Sequence, residues 1–273
     1  MKKAFTLIEL LVVIAIIALL LSIIVPALGR AKLFAQKVIC SNDLKQQGLG
    51  TILYSNENNN YVPQSGLGPW LWDTSFWMTN ELSRYAGFTA NDTYFCPANK
   101  MKKPDDARFW QFSWLVGSGP YPNPVPLRDE STLTIDEQKG YYRVLPYLYM
   151  FDKYGADGVS TLKSTLVSGE KANWIRKLSN VKAAGSRSMI MDVIISDRND
   201  WNFFDIKSGG TPTLSAGTLV DNSNHPSRQK IYSGTNQGIM PEGSNVVYAD
   251  GHVNWKKFED IKYQYRQEEW FWW

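Results

Sequence analysis

Lys2-Lys3-Ala4-Phe5-Thr6-Leu7-Ile8-Glu9-Leu10-Leu11-Val12-Val13-Ile14-Ala15-Ile16-Ile17 opens the chain, and the apolar run continues to Leu28, interrupted only by Ser22 and Pro26. A helix from Leu10 to Leu28, rising about 1.5 Å per residue, covers roughly 28 Å, close to the ~30 Å hydrocarbon core of a bilayer. The stretch therefore predicts one membrane crossing. Its two lysines lie on the N-terminal side, and a cationic flank stays in the cytoplasm, so everything after residue 30 is expected across the membrane.

An ordinary cleaved signal peptide is the competing reading, with Val25-Pro26-Ala27 as a small-residue cleavage site. Two features oppose it. The apolar run exceeds the roughly 7–15 residues of a signal h-region. It also carries Glu9 near its start, and an ionised acid deep in a bilayer costs about 2.5–3.5 kcal/mol, so such a residue implies a cationic partner and a purpose.

Lys2 to Ile17 resembles, residue by residue, the class III signal of type IV prepilins and type II secretion pseudopilins. The resemblance implies that a prepilin peptidase cuts after Ala4 and methylates the new amino terminus at Phe5. Many relatives carry Gly before the cut, and Ala4 is a minor variant of that position. Physical chemistry gives Glu9 a role in such a chain. Cleavage creates an ammonium at Phe5, and Glu9, one helical turn along, can neutralise the terminal charge of its own or an adjacent subunit. An unmatched carboxylate in a low-dielectric assembly is costly, so correct axial register between subunits is rewarded.

Beyond the span, Pro26 and Gly29 predict a softened or kinked helix near the membrane surface. The helix is then expected to resume as an amphipathic one. Leu33, Phe34, Val38, Cys40, Leu44, Leu49 and Ile52 share one broad arc, with Lys32, Gln36, Asp43, Gln46 and Gln47 opposite. Asn56 to Asn60 and then Pro63 end it. The two halves together make a stem of roughly 75–80 Å. The chain divides accordingly into a leader (1–4), a transmembrane half-helix (5–29), an amphipathic half-helix (30–60) and an external globular domain (61–273). Residues 64–140, rich in Trp, Pro and Gly, show no clear periodicity and read as loops and insertions. The expected fold is α+β: the long helix packed on an antiparallel sheet, with loop-rich insertions.

Further segments resemble a large pseudopilin-like family that ends in a His and Asp-Gly motif, the prepilin-type processing-associated H-X9-DG family. They are Cys40 to Leu49 with Tyr54 and Pro63, Tyr94-Phe95-Cys96-Pro97, Leu178 to Asp192, and Asn245 to Trp255. Cys40 and Cys96 match that family's two cysteine segments. They are the only cysteines, and both fall on the external side, where oxidising conditions favour a disulfide; two separately buried thiols are the alternative. Two Cys alone lack the ligands for a metal site.

Asp250-Gly251, flanked by Val246-Val247-Tyr248-Ala249 and His252-Val253-Asn254-Trp255, is a strong hairpin signal, because Asp-Gly accepts positive φ. The resembled family separates its His from Asp-Gly by nine residues, whereas twenty-four separate His225 from Asp250 here. A joint metal site of His225, His252 and Asp250 is the low-ranking metal candidate. Asp197, Asn199 and Asp200, or Asp152 and Asp157, offer oxygen ligands of the kind calcium takes, but neither set has EF-hand spacing, and solvated loop acids are the plainer reading.

Lys and Arg total 29 against 26 Asp and Glu, a balance that excludes a nucleic-acid surface as the main feature. The sequence carries no phosphate-cradling Gly-Lys-Ser/Thr loop, Gly-x-Ser-x-Gly elbow, His-Glu-x-x-His or Cys-x-x-Cys pair, so no enzyme is expected. The resemblance implies as partners a prepilin peptidase, other pilin or pseudopilin subunits, an inner-membrane assembly platform and membrane lipid. It places the chain in a bacterial inner membrane with its C-terminal domain periplasmic or in an external filament. The alternative is a membrane-tethered surface binder that borrows the prepilin signal, with Trp70, Trp72, Trp77, Trp110 and Trp114 as a ligand platform.

Overall fold

The computed structural model describes residues 7–66, 71, 73–88, 91–99, 112–113, 132–153, 174–196, 222–233, 236–266 and 270–272. Helix α1 (Leu7–Glu57) runs unbroken for 51 residues through Pro26, about 77 Å at the standard rise. Pro26 and Gly29, where a softened or kinked helix was expected, do not interrupt it. Proline costs one backbone bond, but the apolar residues on either side hold the helix, whose internal bonding is what a membrane demands.

The strands are β1 (Asp73–Ser75), β2 (Phe112–Ser113), β3 (Tyr141–Val144), β4 (Tyr147–Tyr149), β5 (Ser188–Asp192), β6 (Ile194–Ser196), β7 (Asn222–Ser223), β8 (Pro226–Ser233), β9 (Asn236–Pro241), β10 (Gly243–Tyr248), β11 (Val253–Lys257), β12 (Tyr263–Arg266) and β13 (Trp270–Trp272). The central sheet has the order β11-β10-β5-β4. All its pairs are antiparallel, with Val246 opposite Met191 and Asn254, and Leu148 opposite Met191. A second sheet, β12-β13-β6-β7, continues from the first through Val193, and two smaller sheets, β1-β3-β2 and β8-β9, complete the set. The C-terminal half of α1 lies on β10, β5 and β11. The fold is thus α+β and pilin-like: one long N-terminal helix packed on a four-stranded antiparallel sheet.

The face of α1 that packs differs from the one the helical wheel predicts. Cys40, Leu44, Gln47, Gly48, Gly50, Thr51, Tyr54 and Ser55 are buried, whereas Phe34 is 67% exposed and Leu33, Val38 and Leu49 are also exposed. Small residues decide this. A β-carbon at Gly48 would stand 2.6 Å from Val247 Cγ1, and one at Gly50 2.8 Å from the Leu82 carbonyl oxygen, so the sheet and a second helix approach where the stem has no side chain. Gln47, assigned above to the polar face, is fully buried and satisfied: Nε2 donates to the Thr93 carbonyl at 2.7 Å, and Oε1 accepts from the Tyr149 hydroxyl at 2.6 Å. A buried amide is tolerable once hydrogen-bonded at both ends.

That second helix, α2 (Phe76–Ala86), falls where loops were expected. Ser75 caps its N-terminus by accepting from the Met78 backbone N–H, and Gly87 ends it in the left-handed conformation. Phe76, Met78, Thr79 and Leu82 form its buried face. One large apolar cluster joins α1, α2 and the central sheet, including Leu44, Leu82, Tyr147, Phe151, Ile190 and Val246. Burying it supplies most of the driving force for docking the stem.

Candidate functional site

Three places carry the residues singled out above. The first is the N-terminal half of α1. Side chains from Leu7 to Leu28 are exposed along the whole run, Leu7 79%, Ile14 57% and Leu28 66%. The helix is long and apolar enough to cross a membrane, with none of the apolar window buried by the rest of the chain. Glu9 lies in its first turn, the end at which the helix dipole favours a negative charge. Ser22 donates to the Leu19 carbonyl at 2.6 Å, so its hydroxyl needs no other partner in lipid. Ala4 and Phe5, the expected cleavage and methylation positions, lie outside the described residues.

The second place is the Asp250-Gly251 hairpin between β10 and β11. Gly251 has φ +87°, which only glycine adopts without strain. A β-carbon there would also meet Ile52 Cδ1 at 2.8 Å. The turn thereby docks on the stem, and Lys45 from α1 donates to the Gly251 carbonyl. Asp250 Oδ1 accepts from the His252 backbone N–H at 3.0 Å and faces His252 Nδ1 at 2.7 Å. Those bonds hold the Asp250 carboxyl below the usual range, the backbone N–H contributing most. The imidazole of His252 stacks on Tyr248, centroids 4.3 Å apart. The motif fastens sheet to stem.

The third place is a buried junction that sequence reasoning did not assemble. Cys40 of α1 and Cys96 form a disulfide with Cα atoms 5.1 Å apart. His225, 4% exposed, brings Nε2 to 3.7 Å from Cys96 Sγ and 3.1 Å from Asp192 Oδ2. Asp192, at the end of β5, is fully buried. Its Oδ1 accepts from Asn224 Nδ2 at 2.7 Å, and its Oδ2 accepts from the Asn245 backbone N–H at 2.8 Å and from Asn245 Nδ2 at 2.9 Å. Asn224 gives its other amide hydrogen to the Pro146 carbonyl at 2.6 Å, and its Oδ1 accepts from Asn99 Nδ2 at 2.7 Å. The edge of His225 meets the Trp255 ring at 5.3 Å. Lys37 of α1 covers that ring at 3.8 Å and pairs with Glu242 at 2.7 Å. Helix, both middle strands of the sheet and three loops thus converge on one carboxylate.

The metal candidates are not one group. His252 and Asp250 pair on an exposed turn, while His225 is buried with Asp192 and the cysteines. Among the described residues, the one set of at least three His, Cys, Asp or Glu able to surround an ion is Cys40, Cys96, Asp192 and His225. Asp157, Asp197, Asn199 and Asp200 lie outside the described residues; Asp152 is half-buried, with its backbone N–H donating to the Ile175 carbonyl at 3.0 Å. Of the tryptophans proposed as a platform, Trp70, Trp72, Trp110 and Trp114 also lie outside them. Trp77 packs edge-on against Tyr54 at 5.8 Å, with Lys139 over its ring.

Residues 1–25 match the model of the prokaryotic N-terminal methylation motif. That motif is typical of prepilins and pseudopilins, and it stands on a long helix packed on an antiparallel sheet, a pilin-like arrangement. It carries with it processing by a prepilin peptidase, and the apolar helix is consistent with membrane anchoring. Searches of curated proteins and of solved structures found no match.

Proposed function

We propose that the chain is a structural subunit, a pseudopilin, of a type II secretion or type IV pilus-like filament. It is held in a bacterial inner membrane with its sheet domain outside, and it is assembled through its N-terminal helix rather than acting as an enzyme. The observation that supports this is the match of residues 1–25 to the methylation motif on a helix whose apolar half makes no contact with its own body. Such a surface has two fates: lipid before assembly, and the helices of neighbouring subunits after it. Cleavage after Ala4 frees an ammonium at Phe5. Glu9, one turn along, meets that charge or its neighbour's and sets the axial stagger, because a mismatched carboxylate in a dry assembly costs several kcal/mol.

Glu9→Leu tests the reading. Terminal peptide sequencing of parent and variant should both give a methylated Phe5, since the peptidase acts at the leader junction. Membrane retention should persist, because the anchor becomes more apolar. Crosslinking between neighbouring subunits in membranes should fall severely. Undiminished crosslinking would remove Glu9 from assembly and favour the tethered binder, and a mature terminus at Met1 or Leu28 would remove prepilin processing.

A further inference from the structure

The buried junction holds more chemistry than a disulfide needs. Cystine sulfur is a weak acceptor, so the 3.7 Å approach of His225 Nε2 to Cys96 Sγ does little for the oxidised state. Asp192 is fully buried beside His225, its carboxylate held in place by three hydrogen bonds from Asn224 and Asn245. The four groups are two cysteine sulfurs, one imidazole and one carboxylate, all buried, with ligand atoms within 4.8 Å of one another. Thiolate, imidazole and carboxylate are the ligand types of tetrahedral zinc, bound at about 2.3 Å for sulfur and about 2.0–2.2 Å for nitrogen and oxygen.

The geometry points to a redox-gated zinc site at Cys40, Cys96, His225 and Asp192, in which the disulfide and a bound Zn2+ are alternative occupants of the same junction. A tetrahedral site places its sulfurs about 3.8 Å apart. Cysteines with Cα atoms 5.1 Å apart reach that separation by turning about their Cα–Cβ bonds. His225 Nε2 and Asp192 Oδ2, 3.1 Å apart, already lie near the spacing of two ligands on one ion. An outer layer is also built. Asn245 and Asn224 hold the Asp192 carboxylate by hydrogen bonds, as outer partners of metal-bound carboxylates do. With four protein ligands the site is closed to water, which marks it as structural rather than catalytic.

Any two-electron disulfide reductant opens the site, a phosphine with water or a dithiol. With a dithiol, the reductant's two thiols become a disulfide, the electron pair cleaves the Cys40–Cys96 bond, and the two cysteines take up the protons as thiols. Zn2+ then displaces both thiol protons to solvent, and neutral His225 carries its remaining proton on Nδ1 while Nε2 turns to the metal. The stem stays tied to the Cys96 loop in either state, by a covalent bond in one and by an ion in the other. The inference does not depend on the filament reading, since none of the four ligands lies in the membrane half of α1.

The test uses the full chain in detergent micelles, oxidised or reduced with a phosphine, exposed to Zn2+ and desalted. Elemental analysis should find one zinc per reduced chain and none per oxidised chain. Co2+ in the reduced chain should give the intense visible bands of a tetrahedral thiolate complex. His225→Gln should lower zinc affinity by more than the roughly 10–100-fold that loss of an outer-shell partner costs, while its oxidised form keeps the disulfide. Equal zinc uptake by both redox forms, parental affinity in His225→Gln, an octahedral cobalt spectrum, or a reduced chain that retains no zinc would each overturn the site.

Discussion

The two halves of α1 are one continuous helix built for two solvents. From Leu7 to Leu28 the side chains are exposed and, Glu9 and Ser22 apart, apolar; from Cys40 to Ser55 the packed face is buried, partly polar and mixes Gly48 and Gly50 with Leu44 and Tyr54. Apolarity therefore does not locate the contact with the body. The apolar half stays exposed among the described residues, and the half that packs uses Gly48 and Gly50 to admit Val247 and the Leu82 carbonyl at close range. Bulky apolar side chains cover the exposed half, and glycine makes room for the close contacts of the packed half.

The most drastic way to break this comparison is to remove one half. A chain beginning at Arg30 should lose membrane association completely, yet its urea unfolding midpoint should match that of the full chain in detergent, because residues 7–28 contribute no buried surface. A large fall in midpoint would mean that the apolar half supports the body after all. A smaller effect follows from filling the gaps in the other half. Gly50→Ala would press its methyl against a backbone carbonyl 2.8 Å away, which a side-chain rotation cannot relieve. It should destabilise by about 1–3 kcal/mol, outweighing the roughly 1 kcal/mol gained in helix propensity. An unchanged or raised stability in denaturant titration would show that the close approach is not tight.

The smallest expected effect is a pH dependence confined to the body. Burial pushes the Lys153 ammonium down to about 8 from an ordinary 10.5, with Asp73 opposing the shift. Between those values the unfolded chain binds more protons than the folded one, so stability rises with pH through that window. Burial raises the phenols of Tyr147 and Tyr149 well above their ordinary 10.0. Above that value the unfolded chain loses protons the folded one keeps, and stability falls. Stability should therefore peak at about pH 10, and the chain beginning at Arg30 should give the same profile. A profile flat from pH 7 to 10 would contradict the charge state assigned to Lys153.

Local signals made some of this legible in the sequence. The apolar run is long enough to cross a membrane, and Asp250-Gly251 fixes its turn by backbone conformation alone. The helix α2 was legible in principle, since Ser75 caps it and Gly87 ends it, but the surrounding Trp, Pro and Gly obscured a buried face of four residues. Gln47 was misplaced because a helical wheel ranks residues by polarity, while its burial depends on Thr93 and Tyr149, both distant in sequence. The same holds for His225. Its partners come from α1, β5 and the loop at Cys96, and no spacing within the chain relates them. The twenty-four residues between His225 and Asp250 set it apart from the motif's spacing without indicating Asp192 as its partner.

The position of the disulfide settles how the molecule carries load. A pull between a membrane-held stem and the sheet domain would otherwise travel through residues 41–95, past the helix end and α2, before reaching the central strands. The bond from Cys40 to Cys96 offers a covalent route across 5.1 Å. Tension bypasses that whole segment, and α2 with its loops can shift or fray without slackening the tether.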